Sequence, residues 1–275
     1  MVVKRLIAAI RRTLAAPRDA VHVLRAVPEV IAGAVFARHW RDDGAVMSAP
    51  ASGPAPVTPN PLREFFESRT EGAGVWKWQH YFEIYHRHLE KFVGRDAHLC
   101  EIGVYSGGSL DMWREYLGAR SVIHGVDIAP ECRAYARENV VISIGDQEDR
   151  AFWASFRART PALDIVIDDG GHTPEQQMVT LEELLPHLRP GGVFLCEDVH
   201  GVHHRFAAYV SGIVAHLNGG TRKEGTELAA TPSPVQRGIY SVHFYPYVVV
   251  IERTTVPPEE FVAPKHGTDW QPFPV

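Results

Sequence analysis

Two acidic doublets, each with a histidine close behind, are the most chemically suggestive feature of this 275-residue sequence. Asp168 and Asp169 are followed by His172 in the run DDGGH, and Glu197 and Asp198 are followed by His200 in EDVH. Each doublet closes an apolar run (residues 163–167 and 191–196) that reads as a strand. If both strands finish on one sheet edge, four carboxylates and a histidine converge there. Left unpaired they would repel and raise one another's pKa. A divalent cation removes that repulsion, and oxygen-only ligands suit Mg²⁺ better than zinc. The competing explanation is that acids cap the helices that follow. It accounts well for one acid and poorly for a pair of doublets. His172 carries the side-chain type whose ordinary pKa lies nearest neutrality, which suits a general base beside such an ion.

A second constellation lies upstream. Residues 101–109 (EIGVYSGGS) leave a strand and enter a helix, with Gly103, Gly107 and Gly108 allowing close approach of backbone to a ligand. The spacing is not that of a pyrophosphate-binding GxGxxG turn, and no phosphate needs cradling if the ligand is a nucleoside. Asp127 ends the next strand 24 residues after Gly103, where a carboxylate can accept both ribose hydroxyls of an adenosine. Asp146 and Gln147 end the third strand and are placed to read the adenine edge. Glycine turn, acid and polar pair thus occupy three successive strand ends, the edge where open α/β sheets bind ligands.

The elements that must position these groups follow from the patterning. Apolar runs at 98–104, 121–126, 139–144, 163–167 and 191–196 alternate with helical segments, including 109–117, which implies βαβ units and a parallel sheet covered on both faces. Residues 238–245 and 247–252 follow each other without a helix, an antiparallel pair at the sheet's edge. Residues 75–93 read as one aromatic-rich helix, its Trp76–Tyr81 part expected at the pocket and the rest in the core. The loop with His200, His203 and His204 has zinc-like spacing but no fourth ligand nearby, and is expected to line an acceptor pocket; residues 219–236 read as a flap. Ahead of all this, residues 1–44 form a basic arm with helical segments at 3–15, about 19–27 and 28–40, and 45–61 a Pro-rich linker. The catalytic domain is expected over 62–255 and a tail over 256–275. A basic amphipathic arm can lie on a membrane surface, but with few large anchoring aromatics this one is expected to pack on the main domain or on another subunit, making a homo-oligomer.

Composition sets the outer bounds. A hydrophobic content of 45% with 22% charged residues is that of a globular protein. Lys and Arg number 28 against 33 Asp and Glu, a net charge of -5 that argues against a nucleic-acid partner. Cys100, Cys132 and Cys196 form no CxxC pair, and read as reduced thiols in a cytoplasmic protein. Arg11, Arg25, Pro28 and Glu29 cut the arm's longest apolar stretches, so no membrane span is expected.

The motifs EIGVYSGGSLDMW, the acid of GVDI, GDQ, IDDGGH and LLPHLRPGGVFLCEDVH together resemble class I S-adenosylmethionine-dependent methyltransferases over about residues 75–255. Within that superfamily the chain is most similar to metal-dependent sugar O-methyltransferases of natural-product pathways, the mycinamicin and rhamnosyl types, and to the cephalosporin hydroxylase-like proteins. The resemblance implies a Rossmann-like α/β fold with a mostly parallel seven-stranded sheet and an antiparallel C-terminal edge strand. It implies S-adenosylmethionine and Mg²⁺ as cofactors, and a sugar or glycoside hydroxyl as acceptor. It assigns Asp169, Glu197 and Asp198 to the metal and His172 to catalysis. Glu101, Gly103, Gly107, Ser109, Asp127, Asp146, Gln147 and Asp168 fall to the donor, Asp168 toward its methionine end. Two other functions fit the same residues: methylation of a catechol-like diol, and a non-catalytic nucleoside-binding subunit. Gly201, Val202, His203 and His204 depart from the Thr/Ser/Tyr-rich sequence that often follows the histidine matching His200 in the relatives, which leaves the identity of the acceptor open.

Overall fold

The computed structural model describes residues 16–40, 59–219, 222–224, 227–264 and 266–267. The expected helix at 3–15 and most of the Pro-rich linker lie outside these residues. The chain divides into two units, Met1–Thr58 and Pro59–Val275.

In the first unit a single helix, α1 (Pro17–His39), replaces the two short helices expected about Pro28. Pro28 removes one backbone donor, yet the helix runs through it. Between Ala20 and Ala37 only Arg25 and Glu29 carry full charges. The stretch Asp19–His39, with mean hydropathy 1.6, is therefore long and apolar enough to cross a membrane by length and composition, contrary to the expectation from sequence.

The second unit is built on a seven-stranded sheet. Asn60 starts it by accepting hydrogen bonds from the backbone N–H groups of Leu62 and Arg63, which caps α2 (Pro61–Ser68) inside what had read as linker. There follow α3 (Tyr81–Leu89), β1 (His98–Ile102), α4 (Gly108–Leu117), β2 (Val122–Asp127), β3 (Val140–Ile144), α5 (Arg150–Arg159), β4 (Leu163–Asp168), α6 (Pro174–Leu184), β5 (Leu188–Cys196) and α7 (Arg205–Leu217). Beyond these lie β6 (Arg222–Glu224), β7 (Glu227–Ala230), α8 (Pro234–Gly238), β8 (Ile239–Tyr245), β9 (Val248–Arg253) and β10 (Phe261–Ala263). Sheet order is β3-β2-β1-β4-β5-β9-β8. The first five strands are parallel, and β9 is inserted between β5 and β8, antiparallel to both. This is the expected fold class. The segment read as a flap, and the tail, contribute instead to a small second sheet of order β10-β7-β6.

Strand alternation sends side chains into two cores, one on each face of the sheet. Leu99, Ile165, Ile167, Val193 and Leu195 pack under α2, α3 and α4 with Phe82, Trp113 and Leu117. Cys100, Val166, Phe194 and Cys196 face α5, α6 and α7 with Trp153, Leu184 and Phe206. Each large side chain so buried contributes ~1.5–3 kcal/mol. The same alternation splits the acidic doublets. Asp168 continues the face of Val166 toward α6, whereas Glu197, one residue past Cys196, turns to the face of α3.

Gly103 sits at the joint between β1 and β4. Its φ is +91°, and a Cβ there would stand 2.0 Å from the backbone oxygen of Asp169. Gly103→Ala should therefore cost at least ~2–3 kcal/mol of stability and distort the acid loop, as read by urea denaturation. A midpoint equal to that of the native chain would show that the joint yields freely.

Candidate active site

The carboxyl ends of β1 to β5 open into a cavity of about 1030 Å³. One end is the glycine turn. Gly107 caps α4 in a left-handed conformation (φ +75°) with the Tyr135 ring where a Cβ would lie. Asp127 holds this turn: Oδ2 accepts from the N–H groups of Val104 (2.9 Å) and Tyr105 (3.0 Å), and Oδ1 from that of Ala129 (2.9 Å). Burial raises the pKa of this carboxyl, and the three backbone donors more than offset it, holding it below its ordinary value.

Gly103, Ser109, Asp127, Asp146 and Gln147 line the cavity. Three others do not. Glu101 is fully buried behind the wall, accepting from Ser109 Oγ (2.7 Å) and Trp113 Nε1 (3.0 Å). Gly107 shapes the turn from behind. Asp168, expected at the donor's methionine end, lies on the α6 face, where Oδ1 accepts from Gln147 Nε2 at 2.7 Å. Burial pushes its pKa up to about 7, against the hydrogen bonds from Gly170 and Gln147. Gln147, expected to read adenine, gives both amide hydrogens away, to Asp168 and to Thr180 Oγ1 (2.9 Å), while Oε1 accepts from Gly171 N–H at 2.9 Å. It ties the ends of β3 and β4 together, which leaves Asp146 as the exposed polar group at that edge.

At the other end the second acid of each doublet meets His172. Asp169 Oδ1 is 3.9 Å and Asp198 Oδ2 3.6 Å from His172 Nε2, and one ligand atom from each of the three lies within 4.8 Å of the others. The partner oxygens are already engaged. Asp169 Oδ2 accepts from Lys77 Nζ at 2.6 Å; Asp198 Oδ1 accepts from Tyr81 OH at 2.8 Å and Trp78 Nε1 at 3.2 Å. Both His172 (φ +56°) and Asp198 (φ +54°) hold left-handed backbone, a strain that tight positioning sustains. Two carboxylate oxygens, their companion atoms engaged, thus converge beside an imidazole nitrogen, and the oxygen pair suits a hard divalent cation.

Glu197, expected as a third ligand, is 1% exposed and turned toward α3. Its two oxygens lie 3.0 Å from Lys77 Nζ, and Tyr85 OH donates to Oε1 at 2.7 Å. Burial and the Asp169 charge raise its pKa, while Lys77 and Tyr85 lower it, and the balance is upward. Lys77 was not singled out by sequence. Residues 75–80 precede α3 as an extended loop, and on it Lys77 reaches Glu197, Asp169 and, at 3.8 Å, Glu101. Burial favours the neutral amine, but those three carboxylates raise its pKa and keep the ammonium charged. The available signal was a lysine set between two tryptophans, Trp76 and Trp78. Trp76, Trp78 and Tyr81 do line the cavity, as does His200, whereas His203 and His204 do not.

Residues 100–199 match the methyltransferase domain family. The chain is 30% identical over 199 residues to the 8-demethyl-8-alpha-L-rhamnosyl tetracenomycin-C 2'-O-methyltransferase of Streptomyces olivaceus, covering 66% of this chain and 52% of that protein. It is 35% identical over 133 residues to the demethylmacrocin O-methyltransferase of Streptomyces fradiae, covering 45% of this chain and 33% of that one. The chain thus spans about half the length, or less, of these relatives. Its backbone matches the MycE methyltransferase of the mycinamycin biosynthetic pathway, solved in complex with Mg and SAH, with TM-score 0.58 at 24% identity over 71% of this chain and 55% of that one. Residues 100–199 thus carry the match to the methyltransferase domain family, in a chain that shares its fold with MycE and is similar over part of its length to sugar O-methyltransferases.

Proposed function

We propose that this chain is an S-adenosylmethionine- and Mg²⁺-dependent O-methyltransferase that acts on a sugar hydroxyl, free, nucleotide-linked or attached to a natural product. The observation that carries the reading is the pair of oxygens, Asp169 Oδ1 and Asp198 Oδ2, that face His172 on the wall of the cavity that the Asp127-braced turn opens. The sugar class is supported by the relatives, one of which is named for 2'-O-methylation of a rhamnosyl tetracenomycin.

Asp169 and Asp198 would hold the divalent cation, which when bound acidifies and orients neighbouring hydroxyls of the acceptor, while Glu197, its oxygens engaged by Lys77 and Tyr85, holds Lys77 in place. The sulfonium donor supplies an already activated methyl group. The chain's own work is then placement and one proton transfer. The turn at 103–107 admits the nucleoside, and Asp127, facing the cavity, meets the ribose. Trp76 and Trp78 offer indole faces to a sugar ring. His172 Nε2 takes the hydroxyl proton.

Transfer of a labelled methyl group from donor to a panel of deoxysugar nucleotides and glycosides tests this. We expect transfer to one acceptor class and its loss in EDTA, restored by Mg²⁺. Full activity of the metal-stripped chain would refute the metal requirement. Donor binding without transfer to any diol would favour the nucleoside-binding subunit. Asp127→Ala removes three hydrogen bonds to a charged acceptor besides any made to ribose. It should weaken S-adenosylhomocysteine binding by ~1.5–3 kcal/mol in calorimetry. Unchanged affinity would show that Asp127 serves the turn alone.

A further inference from the structure

A second group of metal-ligating side chains lies outside the cavity, between α3 and the β8–β9 pair. Ser241, His243 and Tyr245 alternate along β8 and share one face. Glu252 of β9 stands opposite Ser241 in register, so its side chain joins them. His88, near the end of α3, comes down onto this face. It is 4% exposed, and its Nδ1 lies 2.9 Å from Glu252 Oε1 and its Nε2 2.9 Å from Tyr245 OH. The His88 and His243 ring centroids are 4.8 Å apart. His243 Nε2 is 3.0 Å from Ser241 Oγ, which in turn reaches Glu252 Oε2 at 3.4 Å. One ligand atom from each of His88, His243 and Glu252 lies within 4.8 Å of the other two.

We propose that His88, His243 and Glu252 form a site for a transition metal of the zinc class, separate from the acid cluster and independent of its proposed role. The donor chemistry separates the two. Asp169 and Asp198 offer hard oxygens, whereas two imidazoles and one carboxylate are a set that holds zinc with a fourth position open. The surrounding groups fit the same purpose. With Nδ1 toward the metal, His88 gives its Nε2 proton to Tyr245 OH, the outer hydrogen bond that fixes a ligating imidazole in one tautomer. Lys91, one helical turn on, has its Nζ 3.5 Å from Glu252 Oε1 and a side chain 41% exposed, so it can swing into water as the ion enters. The ion would staple α3 to the sheet edge. Because α3 also carries Tyr81 and Tyr85, which hold Asp198 and Glu197, the staple braces one wall of the cavity.

The test uses the full chain with Asp169→Asn, which disables the acid cluster. After dialysis against zinc, elemental analysis should find one zinc per chain and a raised Tm. Adding His243→Ala or Glu252→Gln, both at partly buried positions, should reduce the content to none and remove the Tm rise. Tyr245→Phe should weaken zinc binding ~10–100-fold while leaving the stoichiometry unchanged. Cobalt in place of zinc should give the intense visible bands of a four-coordinate site, lost with His243→Ala. No retained zinc in the Asp169→Asn chain, or zinc retained undiminished after His243→Ala and Glu252→Gln, would overturn the proposal.

Discussion

His172→Gln should lower methyl transfer by ~10²–10⁴-fold, the usual worth of a positioned general base, while donor affinity stays near that of the native chain. The expectation rests on how firmly the loop is held. Gln147 Oε1 accepts from Gly171 N–H, so the residue before the imidazole is fixed to the end of β3. The residue after it, Thr173, caps α6 in a reciprocal box: its Oγ1 accepts from Gln176 N–H while Gln176 Oε1 accepts from its own N–H. Between these anchors His172 has little freedom, and Nε2 is held toward Asp169 and Asp198. The same proximity makes a ligand role sterically open, so metal content decides between the two. A slow variant that keeps its metal identifies the base. Loss of the metal would make His172 a ligand, and a near-native rate would pass the proton to another group, such as His200.

Much of this arrangement is legible in the sequence because strand ends are. Apolar runs closing on Asp127, Asp146 and the two doublets fix which side chains reach the carboxyl edge, and the sheet order then brings them together. What could not be read was which face each acid takes and what it meets there. Asp168 and Asp169 are adjacent in sequence, yet β4 sends the first toward α6 and Gln147, away from the cavity. Alternation alone could have separated them had the last strand residue been known. Gln147 is spent on loop closure, a demand set by Thr180 and Gly171, which are far from it in sequence. The run 75–93 has helical periodicity throughout, but its first residues are drawn out as a loop. An extended path carries Lys77 into the acid cluster and sets Trp78 against Asp198.

That placement gives Lys77→Met the second large effect. The ammonium is 2% exposed and lies within 4 Å of Glu197, Asp169 and Glu101, two of which are themselves almost fully buried. Removing one partner of such a buried set leaves its charges uncompensated, which costs ~3–5 kcal/mol. Methionine keeps roughly the length and apolar stem of lysine, so the loss measures charge more than volume. We expect urea denaturation of Lys77→Met in EDTA to show a drop of that size. Since a divalent cation on Asp169 and Asp198 would replace part of the missing charge, Mg²⁺ should stabilise this variant more than it stabilises the native chain. Lys77→Arg, which keeps the charge, should recover most of the stability in EDTA unless the larger guanidinium clashes. Equal stability of native and Lys77→Met chains in EDTA would mean that the three carboxyl groups share protons instead of facing a cation. An equal response of both chains to Mg²⁺ would place the metal too far from Lys77 for the two charges to share the acids.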